Sequence, residues 1–111
     1  MGITKIQLYS IDCNEVALVT KILAHPARVA ILEHISLNKN CSCNDLIDVI
    51  GLSQPTISQH LEVIKKSGIL YKNIKGNTIK YSINKSKFSE FELILEIYFK
   101  KLRNGFDSFE S

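Results

Sequence analysis

The sequence of 111 residues lacks most features that mark membrane or secreted proteins. No apolar run reaches the roughly 18–20 residues that a membrane-spanning helix needs. The N-terminus has no basic region followed by an apolar stretch, as a secretory signal would have, so we expect a cytoplasmic protein without membrane partners. The length suits a single domain, which we assign to residues 1–111, and 45% hydrophobic residues are enough for a core.

Cysteine is scarce and odd in number, with only Cys13, Cys41 and Cys43 in the chain. A disulfide framework is therefore not expected, and the three residues are interpreted as free thiols, core residues or metal ligands. Catalytic patterns are also missing, because no Ser-His-Asp, paired-carboxylate or phosphate-loop spacing appears. We therefore do not expect an enzyme.

Acidic residues are absent between Glu62 and Glu90, a segment that contains seven lysines. The segment carries +7, whereas the whole chain carries only +3, so the remainder is net negative. Such segregation is typical of a face that binds a polyanion, although a solvated lysine-rich surface is the alternative.

The pattern of apolar residues and helix-end signals predicts a mainly α protein with five helices and a small β-hairpin. The first helix is expected from Asp12 to about residue 24, and Pro26 opens the second. Residues 41–43 are expected to form a short extended piece, and a third helix is expected to begin at Cys43 or Asn44 and to end at Gly51. A fourth helix follows, capped by Ser53 and ended by Gly68.

A hairpin and a last helix complete the predicted elements. Residues 69–83 alternate between apolar and polar side chains around a Gly-Asn break, which indicates two antiparallel strands. Ser89 with Glu92 has the spacing of a capping box, so the last helix is expected over about 89–102.

Residues 44–67 have the organisation of a helix-turn-helix, in which the second helix enters the major groove of DNA. Ile57, Leu61 and Ile64 form the apolar face of that second helix. Its opposite face carries hydrogen-bonding side chains, and no carboxylate precedes Glu62, which leaves the helix N-terminus available to a phosphate. The hairpin at 69–83 then has the place of a wing beside this helix.

The same residues carry a resemblance to the ArsR/SmtB family of winged-helix repressors. The resemblance covers roughly residues 15–100 and rests first on the segment Leu52-Ser53-Gln54-Pro55-Thr56-Ile57-Ser58-Gln59-His60-Leu61, followed by Ser67-Gly68-Ile69-Leu70. It extends to His25-Pro26-Ala27-Arg28-Val29-Ala30-Ile31-Leu32 and to the strand Lys80-Tyr81-Ser82-Ile83. It implies a winged helix-turn-helix homodimer that represses by binding double-stranded DNA with an inverted repeat and is released by a signal.

Carried over to this chain, the resemblance assigns base contacts to Gln54, Ser58 and Gln59. Ser53, Thr56 and His60 would hold phosphates or orient the helix, and His60 is equally well interpreted as a half-buried helix residue. The basic segment adds phosphate contacts, so the expected DNA-binding set is Ser53, Gln54, Thr56, Ser58, Gln59, His60, Lys65, Lys72, Lys75, Asn77 and Lys80.

The last helix carries an apolar stripe that is too wide for one neighbour. We expect it to pair with its symmetry mate beside the first helix, through Val16, Val19, Phe91, Ile94, Leu95, Tyr98, Phe99 and Leu102. The alternative is a protein-interaction module that uses the same stripe for a different partner.

The cysteines do not identify the signal that would release the protein from DNA. Relatives with thiolate sites for arsenic or other soft metals carry their ligands where this chain has Ser42 and Asn44, so Cys41 and Cys43 are favoured as core residues and no cofactor is expected. The alternative is a repressor that senses arsenite, a soft metal ion or an oxidant through Cys13, Cys41 and Cys43. The last helix has no histidine, which argues against a zinc or nickel site there.

Overall fold

The computed structural model describes residues 11–109, and within that range the chain forms five helices and three strands. In chain order these are α1 (Ile11–Ile22), α2 (Pro26–Asn38), β1 (Asn40–Cys41), α3 (Cys43–Ile50), α4 (Gln54–Lys66), β2 (Leu70–Lys75), β3 (Thr78–Ile83) and α5 (Lys85–Asp107). This arrangement confirms the predicted winged helix-turn-helix of five helices and a hairpin. None of the helices in this range is both long and apolar enough to cross a membrane.

The break between α1 and α2 is set by Pro26 and by the residue before it. His25 has extended backbone angles, φ −141° and ψ 133°, as expected before a proline. Its Nδ1 accepts a hydrogen bond from the Ala27 amide at 3.0 Å and thereby caps α2. Helix α1 ends at Ile22, two residues earlier than predicted, and the side chain of the predicted cap Asp12 lies outside the described residues.

Local signals define both helices of the helix-turn-helix. Ser42 and Asp45 form a reciprocal capping box at the start of α3, with hydrogen bonds of 3.2 and 3.0 Å. Gly51 ends α3 with a φ of 81°, a conformation that costs a residue with a Cβ more than glycine. Ser53 occupies the N-cap position of α4, as predicted, but its side chain makes no capping hydrogen bond.

The predicted extended segment over 41–43 ends one residue early, because α3 begins at Cys43, which is one of its two predicted starts. Cys41 lies in β1, but Ser42 is already the cap of α3 and Cys43 is its first residue. The two cysteines therefore do not share one face of a strand. The capping box decides this point, because it satisfies helix amides that an extended chain would leave to water.

The strands form one antiparallel sheet in the order β1-β3-β2. Strands β2 and β3 form the predicted wing, in register from Leu70 opposite Ile83 to Lys75 opposite Thr78. Gly76, with a φ of 59°, and Asn77 make the two-residue connection. The pairing of β1 with β3, which joins Cys41 to Tyr81, was not predicted.

One cluster of buried side chains holds these elements together. It draws on every helix and on the base of the sheet, and consists of Val19, Ile22, Ile31, Ile35, Cys41, Leu46, Ile57, Leu61, Ile64, Ile69, Leu70 and Phe91. Val19 and Phe91 are thus buried within a single chain, at 3% and 6% exposure. So little of either side chain is exposed that single-chain burial does not favour the predicted interface role of Val19 and Phe91, which stays a prediction.

The last helix is longer at both ends than the predicted 89–102. It begins at Lys85, because Asn84 caps it by accepting a hydrogen bond from the Lys87 amide at 3.2 Å. The Asn84 side chain also donates to the Gly68 carbonyl at 3.1 Å, which ties the helix start to the end of α4. Ser89, the predicted cap, lies inside the helix.

We predict that Asn84→Ala lowers the free energy of unfolding by about 1–2 kcal/mol, the usual cost of losing an N-cap. Urea denaturation followed by circular dichroism measures the change. Ser89→Ala is the matched control, since it removes a polar side chain from the same helix away from its end. Equal effects of the two substitutions would contradict the assignment of Asn84 as the cap.

Candidate nucleic-acid interface

Helix α4 presents a polar face to solvent because its opposite face is locked into the core. Ile57, Leu61 and Ile64 are at most 1% exposed, whereas Gln54 and Gln59 are exposed. The first turn of the helix contains no acidic residue. An exposed helix start of this kind offers amides and side-chain hydrogen bonds to an anionic partner.

The short polar side chains of α4 are held in place by one another. Ser53 Oγ lies 2.9 Å from Thr56 Oγ1, and Gln54 Nε2 donates to Ser58 Oγ at 2.9 Å. Ser58 is half-buried, and its hydroxyl also lies 3.8 Å from the Cys43 sulfur on α3. Of the three predicted base-reading residues, Gln54 and Gln59 therefore face outward, while Ser58 lies at the edge of the contact between α3 and α4.

His60 lies on the other edge of α4 and contacts α2. Its Nδ1 is 3.3 Å from Arg28 Nη1, and its ring lies 4.5 Å from the ring of His25, tilted by 49°. Burial of the ring, the charge on His25 and the charge on Arg28 together lower the pKa of His60 from its ordinary value. This inward packing favours the half-buried interpretation of His60 over a direct phosphate contact.

Arg28 and His25 were not predicted as parts of this surface. Arg28 is one of two arginines in the chain and interrupts an otherwise apolar helix start, which is the signal that could have drawn attention to it. Its partner on α4 is 32 residues away in sequence. Nothing in the local pattern indicates that pairing.

The wing separates its lysines between two faces. Lys75 and Lys80 lie on one face and line a shallow groove together with Asn40, Asn73 and Thr78. Lys72 is opposite Tyr81 in the register and so lies on the other face. Asn77 is exposed in the turn, and Lys65 is half-buried in the last turn of α4. Of the lysines predicted to contact phosphates, only Lys75 and Lys80 therefore share one face of the wing.

The cysteines are not gathered within one chain. Cys41 is 1% exposed, and its burial and then the carboxylate of Asp45 raise the pKa of its thiol, against a smaller lowering by Lys80. Cys43 is half-buried and Cys13 is exposed. No group of three His, Cys, Asp or Glu side chains suited to a metal ion occurs among residues 11–109. Cys41 thus has the core position that the sequence favoured.

Large apolar side chains are exposed or half-buried along α1 and α5. Val16, Ile94, Leu95 and Tyr98 are half-buried there, while Phe99 and Leu102 are 62% and 47% exposed. Several further large apolar side chains of the two helices are also exposed, namely Leu18, Leu93, Ile97 and Phe106. Exposed apolar area of this extent is typical of a surface that another protein covers.

Comparison with known proteins places this architecture among bacterial regulators. A model of the bacterial regulatory protein arsR family matches residues 25–72. The transcriptional repressor PagR of Bacillus anthracis is 34% identical over 83 residues, which are 75% of this chain and 81% of PagR. An arsenical resistance operon repressor of Staphylococcus xylosus is 31% identical over 71 residues, covering 64% of this chain and 67% of that protein.

A solved structure agrees with these sequence relatives. The crystal structure of the transcriptional repressor BigR from Xylella fastidiosa superposes with a TM-score of 0.62 at 32% identity. The superposition covers 78% of this chain and 85% of that one. Sequence and fold therefore point to the same group of proteins.

We predict that the three thiols of the folded protein react with iodoacetamide in the order Cys13, Cys43, Cys41. Exposure sets the order, and the raised pKa of Cys41 slows it further because the thiolate is the reactive form. Time-resolved alkylation followed by peptide mass spectrometry measures the three rates. The same reaction in urea should make them similar, and fast labelling of Cys41 without urea would contradict its core position.

Proposed function

The chain belongs to the arsR family of bacterial regulatory proteins, and we propose that it is a dimeric transcriptional repressor that binds an inverted repeat in operator DNA. The relatives reported above carry the name repressor, and that role is extended here to this chain. One observation carries the proposal: an acid-free, exposed helix start lies on the same chain as a basic wing, and both are anchored in one core.

Helix α4 is the proposed reading element. An α-helix fits the major groove, where glutamine side chains can make paired hydrogen bonds to base edges. Gln59 is the strongest candidate for such a contact, because its side chain is exposed and has no hydrogen-bond partner within residues 11–109. Gln54 is also exposed but shares its amide with Ser58, so it is set in one direction before DNA arrives.

The wing is the proposed backbone clamp. Lys75 and Lys80 lie on one face of the sheet beside Asn73 and Thr78, which are hydrogen-bonding side chains. Contacts to phosphates provide affinity and register but little sequence preference. We therefore assign sequence specificity to α4 and salt-dependent affinity for DNA to the wing.

A second copy of the chain is the proposed occupant of the apolar surface on α1 and α5. Two-fold pairing there would present two α4 helices to successive major grooves, which lie roughly 34 Å apart on one side of the duplex. Symmetric pairing also explains why the operator is proposed to be an inverted repeat.

A thiol-linked release signal is the second candidate, and the contact between Cys43 and Ser58 favours it. The sulfur lies 3.8 Å from a hydroxyl that orients Gln54 on α4. A soft metal ion or an electrophile bound to that sulfur would occupy space beside Ser58. Titration with arsenite tests this candidate, and a Cys43→Ser protein that is still released from DNA by arsenite would remove it.

We predict different effects for two substitutions on DNA binding. Gln59→Ala should lower the preference for the chain's own promoter DNA over random duplex by about 1–3 kcal/mol. Lys80→Ala should weaken binding to both duplexes and reduce the slope of log affinity against log salt by about one. Fluorescence anisotropy at several salt concentrations measures both quantities.

Lys100→Ala is the control for Lys80→Ala, because it removes the same charge from an exposed position on α5. It should leave the salt slope unchanged. Absence of any preference for promoter DNA by the unsubstituted protein would refute the proposed function itself.

We predict that Phe99→Asp converts the protein to a monomer at micromolar concentration, raising the dimer dissociation constant by at least about tenfold. The reason is that a carboxylate must lose its water to enter an apolar interface. Leu37→Asp is the matched control, since Leu37 is 75% exposed on α2, away from the proposed interface. Sedimentation velocity of both variants measures the outcome, and a dimeric Phe99→Asp protein would contradict the interface.

A further inference from the structure

The side chain of Arg28 connects three helices. Arg28 belongs to α2, and its Nε and Nη2 donate to the carbonyls of Ile22 at 3.1 Å and Lys21 at 2.8 Å, in the last turn of α1. Its Nη1 lies 3.3 Å from His60 Nδ1 on α4. A single half-buried guanidinium therefore links the end of α1 to the helix that carries the proposed base-reading residues.

The chemistry of this contact fixes the state of His60. A guanidinium only donates hydrogen bonds, so Nδ1 of His60 must accept. The ring is then neutral and its proton lies on Nε2. A proton on Nδ1 would remove the acceptor and place a second positive charge next to Arg28.

The contacts of the Arg28 guanidinium with the end of α1 also have a fixed direction. Carbonyls in the last turn of a helix lack partners within the helix and carry partial negative charge, so a cation is favoured there. Two hydrogen bonds fix the guanidinium plane at the end of α1. The third hydrogen-bond donor of the guanidinium, Nη1, therefore points toward α4 in one orientation.

We propose that Arg28 is a positioning residue for DNA binding, which holds α4 against the end of α1 through a hydrogen bond that exists only while His60 is neutral. The inference rests on the proposed function, because it concerns the placement of the reading helix. The Arg28 side chain also connects α1, which is part of the proposed dimer surface, to α4.

Two groups bring charge to His60 from the elements packed against it. His25 faces it from the turn between α1 and α2, and Arg28 faces it from α2. Both are cationic when protonated, and with burial they lower the pKa of His60 below its ordinary value of about 6.5. The unfolded chain thus binds this proton more readily than the folded chain, and the stability from neutral His60 is lost as the pH falls below that value.

The sign of the pH effect on DNA binding separates this proposal from its alternative. Acidification makes any protein more positive and generally strengthens its attraction to DNA. A His60 side chain that touched a phosphate would add to that trend. Loss of the contact with Arg28 has the opposite effect, so affinity for promoter DNA should fall as His60 becomes protonated.

The first experiment measures promoter affinity from about pH 5.5 to 8 at constant ionic strength. Affinity of the unsubstituted protein should fall on acidification, by no more than about tenfold per pH unit, the limit for one proton. His60→Asn keeps an acceptor near the Nδ1 position but cannot be protonated, so its affinity should no longer fall on acidification, whatever its affinity at pH 8. His34→Asn, which changes an imidazole elsewhere on α2, is the control and should keep it.

A second set of variants tests Arg28 itself. Arg28→Met should weaken promoter binding at pH 8 to about the level that the unsubstituted protein shows at low pH, and should remove the pH dependence. Arg28→Lys keeps the charge and a donor and should restore part of the affinity. Equal, pH-dependent binding by Arg28→Met and the unsubstituted protein would overturn the proposal.

A measurement without DNA separates failure of this inference from failure of the proposed function. Nitrogen-15 NMR of the histidine rings in the free protein should show that the proton of His60 lies on Nε2 and that its pKa is below the ordinary value. In Arg28→Met, the pKa of His60 should rise. A His60 protonated on Nδ1 at neutral pH would overturn the contact, whatever the DNA result. Affinity that rises on acidification, and no longer does so in His60→Asn, would instead assign His60 to a phosphate.

Discussion

The burial of Ile57, Leu61 and Ile64 is the interaction on which the rest of the structure depends. Each is at most 1% exposed, and truncating such a residue typically costs about 2–5 kcal/mol. Successive residues of a helix differ in direction by about 100°, so three fixed positions determine where every other side chain of α4 points. The exposure of Gln54 and Gln59 is therefore a consequence of core packing.

Local sequence signals predicted most of the elements, because each depends on residues close together in the chain. Gly51 and Ser53 predict the turn between α3 and α4. The alternation of apolar and polar residues in β3, together with Gly76 in the preceding turn, predicts the wing. The predicted start of α5 was wrong because the helix is capped by Asn84 and not by Ser89. The contact of Asn84 with the Gly68 carbonyl joins distant residues and could not be foreseen.

The candidate site was predictable to the same extent and for the same reason. The polar face of α4 and the basic hairpin are properties of continuous segments, so the sequence alone could indicate them. The partners of single side chains were not predictable, since Cys43 meets Ser58 and Arg28 meets His60 only when separate helices pack. The register also divides the wing lysines between two faces, which a count of charges cannot show.

The short strand β1 has a mechanical consequence. It pairs with β3 through Asn40 and Cys41, and the next residue, Ser42, caps α3. Along the chain, both helices of the helix-turn-helix therefore lie between β1 and β2, which belong to one sheet. In the proposed DNA complex, a pull on the wing would pass along β3 into β1 and reach the start of α3, because Ser42 directly follows β1. The proposed DNA contacts of the wing and of the reading helix would then be mechanically coupled through β1.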